Sequence, residues 1–310
     1  MRIAVFFVGA LEDRGFNASA REGVLRVVET GMAEIEVISG VPYDQAAIRT
    51  RLAEGLHDAE GLVFIGGQGN LAMPDVAADH PGHRFAIVQG KRLGPNLASY
   101  DVRQEDSAFL AGVLAAHLTR SGTVAHLSGH RVTPGLKGRA GFVAGVRHVA
   151  PDMPVLTSFC GTQDDTTVAR DWARSQIEAG ADVLFTMLNA ARAGATEACR
   201  TAGTRQIGNA LDWVAEDPEV FAGSALARID LGVVRAVADM VAGIVPGQIV
   251  EFGLADGEFV SLSMAPDVPE AARVAVAQAA EALRCGEIAI PESYEGPEFT
   301  PEDARCLPDA

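Results

Sequence analysis

The chain is 310 residues long, 48% apolar and 21% charged, with 41 acidic against 25 basic side chains and a formal net charge of −16. That length exceeds what one compact core usually holds, so two lobes are expected, and the apolar share excludes a disordered chain. The acidic balance argues against nucleic acid or an anionic membrane as partner, and no apolar run approaches the roughly 20 residues that span a bilayer, so no transmembrane segment is predicted.

In chain order, Met1-Arg2 leads straight into the apolar run Ile3-Ala4-Val5-Phe6-Phe7-Val8, a strand Ile3–Gly9. The absence of a charged n-region and separate h-region predicts a cytoplasmic protein, the alternative being a periplasmic or lipid-anchored protein whose leader has been removed. The strand enters a glycine-bounded polar turn and then the helix Asn17–Thr30. Further strands are predicted at Glu34–Ser39, Gly61–Gly66, Arg84–Gln89, Leu97–Asp101, Thr123–Ser128, Val155–Cys160, Asp182–Asn189, Gln206–Leu211 and Ala222–Ala227. Helices are predicted at Asp44–Leu56, Gln104–Thr119, Leu136–Val149, Thr166–Ala179, Ala191–Ala202 and Leu231–Gly243. This βα alternation is the signature of parallel sheets covered on both faces. The tail reads as a strand pair, Val250–Gly253 and Glu258–Leu262, about the turn Asp256-Gly257, then an alanine-rich helix Pro269–Arg284 and an extended Pro- and Glu-rich strap to Ala310. Cys160, Cys199, Cys285 and Cys306 have neither close pairing nor metal-site spacing, so reduced thiols are the default.

Three segments carry a resemblance: Gly9 to Gly23, with Phe16-Asn17 inside it; Ser99 to Gly112; and Gly138 to Gly145. In their order and spacing, over roughly residues 1–265, they resemble the basic membrane protein family of ABC-transporter substrate-binding proteins, best known as purine-nucleoside receptors. The resemblance implies a type I periplasmic-binding-protein fold: two doubly wound parallel-sheet α/β lobes joined by hinge strands. It divides the chain into an N-terminal lobe (1–102 plus about 228–265), a C-terminal lobe (103–227) and a C-terminal helix and strap (266–310). It also implies a hinge closure on a small molecule, with an ABC permease as partner if the protein is exported.

Ligands of open α/β sheets gather where strands end at their carboxyl termini, so candidate contacts are the residues just past each apolar run. These are Phe7, Gly9, Phe16, Asn17, Gln68, Gln89, His130, Asn189, Asn209, Asp212 and Trp213. By resemblance, Phe16 stacks on an aromatic ligand and Asn17 hydrogen-bonds beside it; on position alone they read equally as a hydrophobic staple and a helix N-cap. Trp213 offers a second aromatic wall or a core side chain, with Asp212 as an anchor. Gly66-Gly67-Gln68-Gly69-Asn70 lacks the Lys-Ser/Thr of a P-loop, and a turn needing positive φ explains it. Three departures from the nucleoside-binding members, Phe7 and Gln89 where carboxylates are implied and Ala227 where a Lys is implied, point to a different ligand.

The expected function is therefore a binding protein for a small, polar, ring-containing molecule, without cofactor or metal, serving transport or sensing. The alternative is a cytoplasmic enzyme on the same fold, with acid–base or hydrolytic chemistry at His130, Glu12 or Cys160. Against it, Glu12-Asp13 and Asp164-Asp165 precede helices, where an exposed acidic turn is favourable for electrostatic reasons alone.

Overall fold

The computed structural model describes residues 1–304, so Cys306 and the end of the strap lie outside the described residues. The chain runs β1 (Arg2–Val8), α1 (Phe16–Glu29), β2 (Glu34–Val41), α2 (Gln45–Gly55), β3 (Gly61–Ile65), α3 (Gly69–Asp79), β4 (Arg84–Val88) and β5 (Leu97–Val102). It continues through α4 (Gln104–Leu118), β6 (Val124–Ser128), α5 (Thr133–Val149), β7 (Val155–Phe159), α6 (Thr166–Glu178), β8 (Val183–Met187), α7 (Arg192–Ala202), β9 (Arg205–Ala210), α8 (Trp213–Glu216) and β10 (Phe221–Ala227). Then follow α9 (Ile229–Val241), β11 (Val250–Phe252), β12 (Val260–Met264), α10 (Glu270–Arg284) and the short α11 (Pro301–Ala304).

Two compact units result. Unit 1 comprises Met1–Arg103 and Arg228–Gly253; unit 2 comprises Gln104–Ala227 and the chain from Leu254 onward. The sheet of unit 1 has the order β11-β5-β4-β3-β1-β2, and that of unit 2 the order β12-β10-β9-β8-β6-β7. All pairings are parallel except β12 against β10. Central strands such as β3, Gly-Leu-Val-Phe-Ile, are buried at every residue because helices cover both faces, whereas the edge strand β2 exposes Val37 and both its glutamates are at least partly accessible. Setting aside the last strand of each sheet, both units share one winding order, so β1 corresponds to β6, β3 to β8 and β4 to β9. The order reverses at β1/β3 in one unit and β6/β8 in the other. Those are the switch points, where two neighbouring carboxyl-end loops splay apart.

The tail departs from the sequence reading. Val250–Gly253 and Glu258–Leu262 do not pair with each other: β11 joins β5 in unit 1, and β12 joins β10 in unit 2. The return to unit 1 therefore ends at Gly253 rather than near residue 265. A tight Asp-Gly turn specifies a local reversal but not the partner of either arm; here each arm satisfies the open backbone of a different sheet. Periodicity does not reveal α3, which begins in the glycine run at Gly69 and carries Pro74 in its interior, nor the one-turn helices α8 and α11.

Candidate functional site

In unit 1 the switch-point loops are β1–α1 and β3–α3. The β1–α1 loop folds around Asp13, which is only 2% exposed. Its carboxylate accepts backbone N–H bonds from Gly15, Asn17 and Ala18, each at 2.9 Å. Asp13 thus performs the cap expected of Asn17 and is not part of an exposed acidic pair. Asn17, inside α1, spends both amide hydrogens on the backbone, donating to the carbonyls of Val8 at 2.8 Å and Ala10 at 2.9 Å. Gly9 has φ +79°, and a Cβ there would meet the Tyr43 ring at 3.0–3.3 Å. So Gly9 contributes close approach rather than a polar contact, and Tyr43 lies over it, partly exposed.

Phe16, the first residue of α1, is partly exposed, its ring facing Gly66, which follows β3 with φ +107°. The amide of half-buried Gln68 folds back over the same glycine. Phe16 and Gln68 are therefore brought together at the β1/β3 switch point. Asn70 accepts from the Lys91 N–H at 2.7 Å and donates to the Gly67 carbonyl at 3.0 Å, tying the next loop to this one.

Two expected contacts in unit 1 do not hold. Phe7 is fully buried within β1, packed as a core side chain. Gln89 is 2% exposed, and its side chain pairs with the backbone of Val102, donating at 3.0 Å and accepting at 2.7 Å. That pairing clamps the end of β4 to β5 and uses the groups that a ligand would need.

In unit 2 the switch-point loops follow β6 and β8 and carry His130 and Asn189. His130 is half-buried, and loss of hydration lowers its pKa, an effect that Asp164 facing it partly opposes. The carboxyl of Asp164 is raised by burial in turn. Asn189 sits just past β8, and its backbone N–H donates to the Gln163 side-chain oxygen at 3.2 Å. The same Gln163 amide lies against Gly129, where a Cβ would meet it at 2.5 Å. Gln163 therefore links the three loops after β6, β7 and β8.

The loop after β9 is built differently from the expectation. Trp213 is a core residue, 6% exposed, packed on Phe221 at 5.7 Å between ring centroids. Its indole N–H donates to the Asn209 carbonyl at 3.0 Å, and the guanidinium of buried Arg192 lies over its ring at 4.1 Å from the centroid. Arg192 also donates to the Asn209 side-chain oxygen. Asn209 thus has its carbonyl groups engaged, and Trp213 does not form a second aromatic wall. Asp212 is exposed and accepts from Ser263 at 2.7 Å.

Among the described residues, the non-glycine residues with positive φ are Arg14, Gln89 and Ala210. All three lie at carboxyl ends: Arg14 in the β1–α1 loop, Gln89 directly after β4, and Ala210 as the last residue of the corresponding strand β9. Local backbone strain collects where loops are shaped for binding. The enzyme candidates find no such support: Glu12 is exposed and paired with Arg21 at 3.3 Å, and burial pushes the Cys160 thiol up, away from thiolate. Tyr43, Gln163 and Arg192 were missed from sequence. Tyr43 stands two residues past the end of β2, a position that the strand-end rule covers; the other two owe their positions to packing between loops.

The fold and these loops define a protein of the two-unit, doubly wound ligand-binding class. A family model described as ABC transporter substrate-binding protein PnrA-like matches residues 1–292, and the chain belongs to that family. Among relatives, it is 25% identical over 309 residues to the CD4+ T-cell-stimulating antigen of Listeria monocytogenes, covering 92% of this chain and 86% of the relative. It is also 25% identical over 273 residues to an uncharacterised lipoprotein of Pyrococcus horikoshii, covering 82% and 67%. The fold is shared with a solute-binding protein of an ABC transporter system from Aeropyrum pernix, with a TM-score of 0.84 at 21% identity and 95% coverage of both chains. Among the described residues no helix is long and apolar enough to cross a membrane, and no group of His, Cys, Asp and Glu has metal-binding geometry.

Proposed function

We propose that this substrate-binding protein takes a small, polar, ring-containing molecule that is not a purine nucleoside. The observation that carries the reading is Phe16, a partly exposed aromatic ring at the β1/β3 switch point, beside Asp13 and Asn17 whose side chains are spent on the backbone. Unit 2 offers His130 and Asn189 in the loops of its own switch point, one donor–acceptor ring and one amide. The positions where the resemblance implies a nucleoside's polar partners hold Phe7, Gln89 and Ala227, all at most 2% exposed. The partner is an ABC permease, and the lipoprotein relative supports an anchored, extracytoplasmic location. A cytoplasmic location belongs with the sensory alternative, and cell fractionation separates the two.

The identifying experiment is mass spectrometry of small molecules released from the purified protein, followed by a thermal-shift screen of nucleosides, flavins, other heterocycles and amino acids. With the resulting compound, Phe16→Ala is expected to weaken binding several-fold in calorimetry, since stacking contributes ~0.5–1.5 kcal/mol beyond area burial. Unchanged affinity rejects the Phe16 assignment, and tight binding of inosine, adenosine or guanosine rejects the ligand class.

A further inference from the structure

Beyond α10 the chain returns over unit 2 as an extended strap. At Phe299 it is seated on the edge strand β7: the Phe299 N–H donates to the Thr157 carbonyl at 2.9 Å, and the Ser158 hydroxyl donates to the Phe299 carbonyl at 2.9 Å. Next to it, the Glu298 carboxylate receives Arg131 through both terminal nitrogens, Nη1 at 2.8 Å, and also receives Arg139. Both guanidinium groups lie over the Phe159 ring, at 4.7 and 5.0 Å from its centroid.

The two arginines are not equivalent. Arg139 is buried on α5 and has other anchors: it donates to the Tyr294 carbonyl at 3.2 Å and stacks on the Tyr294 ring at 5.2 Å. The Arg131 side chain is 55% exposed and is held by Glu298 and the Phe159 ring. It is also the residue after His130, in a short loop tightened by the bond from the Val132 N–H to the His130 carbonyl at 3.0 Å.

Two cations sharing one carboxylate and one ring repel each other once that carboxylate loses its charge. Arg139, buried and otherwise tethered, stays. Arg131 leaves, and the loop that carries His130 moves with it. We propose that Glu298 is a positioning residue for the 129–132 loop, through which the C-terminal strap sets the orientation of His130. The functional weight of this linkage rests on the reading of His130 as a ligand contact, but the linkage itself can be measured without any ligand.

The test uses the full chain with labelled histidine, following the His130 imidazole by NMR across pH together with amide exchange at 130–132 and at Phe299. Glu298→Gln is expected to speed exchange at 130–132 at least tenfold and to move the His130 titration up toward that of an exposed histidine. Arg131→Gln is expected to do the same while leaving the Phe299 amide as protected as in wild type, because Arg139 still holds the strap. This second variant separates positioning from general loosening and remains informative if Glu298→Gln folds poorly. An unchanged His130 titration in Arg131→Gln overturns the proposal, as does a shift accompanied by equal loss of protection at Phe299. Failure of the binding reading appears elsewhere: His130→Ala, which leaves the pairing of Glu298 with Arg131 and Arg139 intact, would not change affinity for a compound found in the heterocycle screen.

Discussion

Replacement of Asp13 tests whether the β1–α1 loop is shaped by one buried carboxylate. In Asp13→Ala, the N–H groups of Gly15, Asn17 and Ala18 lose a shared acceptor that each meets at 2.9 Å. Loss of a helix cap costs about 0.5–2 kcal/mol, and a buried donor left unsatisfied costs about 1–3 kcal/mol. The three donors lie at one helix start, and some are reached by water once the carboxylate is gone, so the costs do not add fully. A total of about 2–4 kcal/mol is expected. In a unit of this size that is a drop of roughly 10 °C in the melting transition reporting unit 1. Asp13→Asn keeps one acceptor oxygen for Gly15 and Ala18 but turns an NH₂ group toward the N–H of Asn17, or the reverse, and is expected to lose about half as much. Thermal and denaturant melts give the totals, and amide exchange at residues 15, 17 and 18 localises them. A melting shift under about 2 °C for Asp13→Ala, with those amides still protected, would refute the account.

Three further outcomes are expected. Trp213→Ala should destabilise unit 2 by about 3–5 kcal/mol in denaturant melts, as a core truncation does; a near-neutral effect with lost ligand binding would restore Trp213 as a binding wall. His126 is wholly buried among Phe142, Phe159 and Phe185, and burial lowers its pKa to about 3 from the ordinary 6.5. The unfolded chain therefore takes up a proton below about pH 6.5 that the folded chain refuses, so stability falls with falling pH by up to ~1.4 kcal/mol per unit until about pH 3; His126→Gln melts at pH 7 and pH 5 should lack that component, and an identical pH slope in both proteins would disprove it. Gly112→Ala should cost several kcal/mol in unit 2, since its Cβ would fall 2.1 Å from the Phe142 carbonyl oxygen, a backbone atom unable to step aside.

The fold was legible in sequence because its signal is repeated: central strands such as β1, β3, β4 and β8 are apolar runs of strand length, and helices alternate with the strands along the chain. Position past a strand end also picked out real loop residues, among them Phe16, Gln68, His130 and Asn189. What it does not encode is side-chain direction. Phe7 and Phe16 are both phenylalanines near the end of β1, yet one is inside the sheet layer and the other reaches the rim. Gln89 stands at a strand end with a polar side chain and spends it on Val102, a residue that β4–β5 pairing brings alongside. Trp213 turns inward because Arg192, far from it in the chain's periodicity, stacks on its ring.

The segments that carried the family resemblance divide in the same way. Gly9 to Gly23 builds a switch-point loop. Ser99 to Gly112 and Gly138 to Gly145 instead supply much of the contact between α4 and α5 in unit 2. Gly141 and Gly145 abut the backbone of Glu105 and Phe109, where a Cβ would fall 2.4 and 2.0 Å from a carbonyl oxygen. Two of the three segments therefore specify how closely helices pack, a requirement that persists whatever molecule is bound. The resemblance for that reason identifies the fold and the class of protein far more sharply than the ligand. On the proposed binding reading, ligand choice rests with side chains that helix packing does not fix: those around Phe16 and Tyr43 in unit 1, and the His130 loop held by the strap in unit 2.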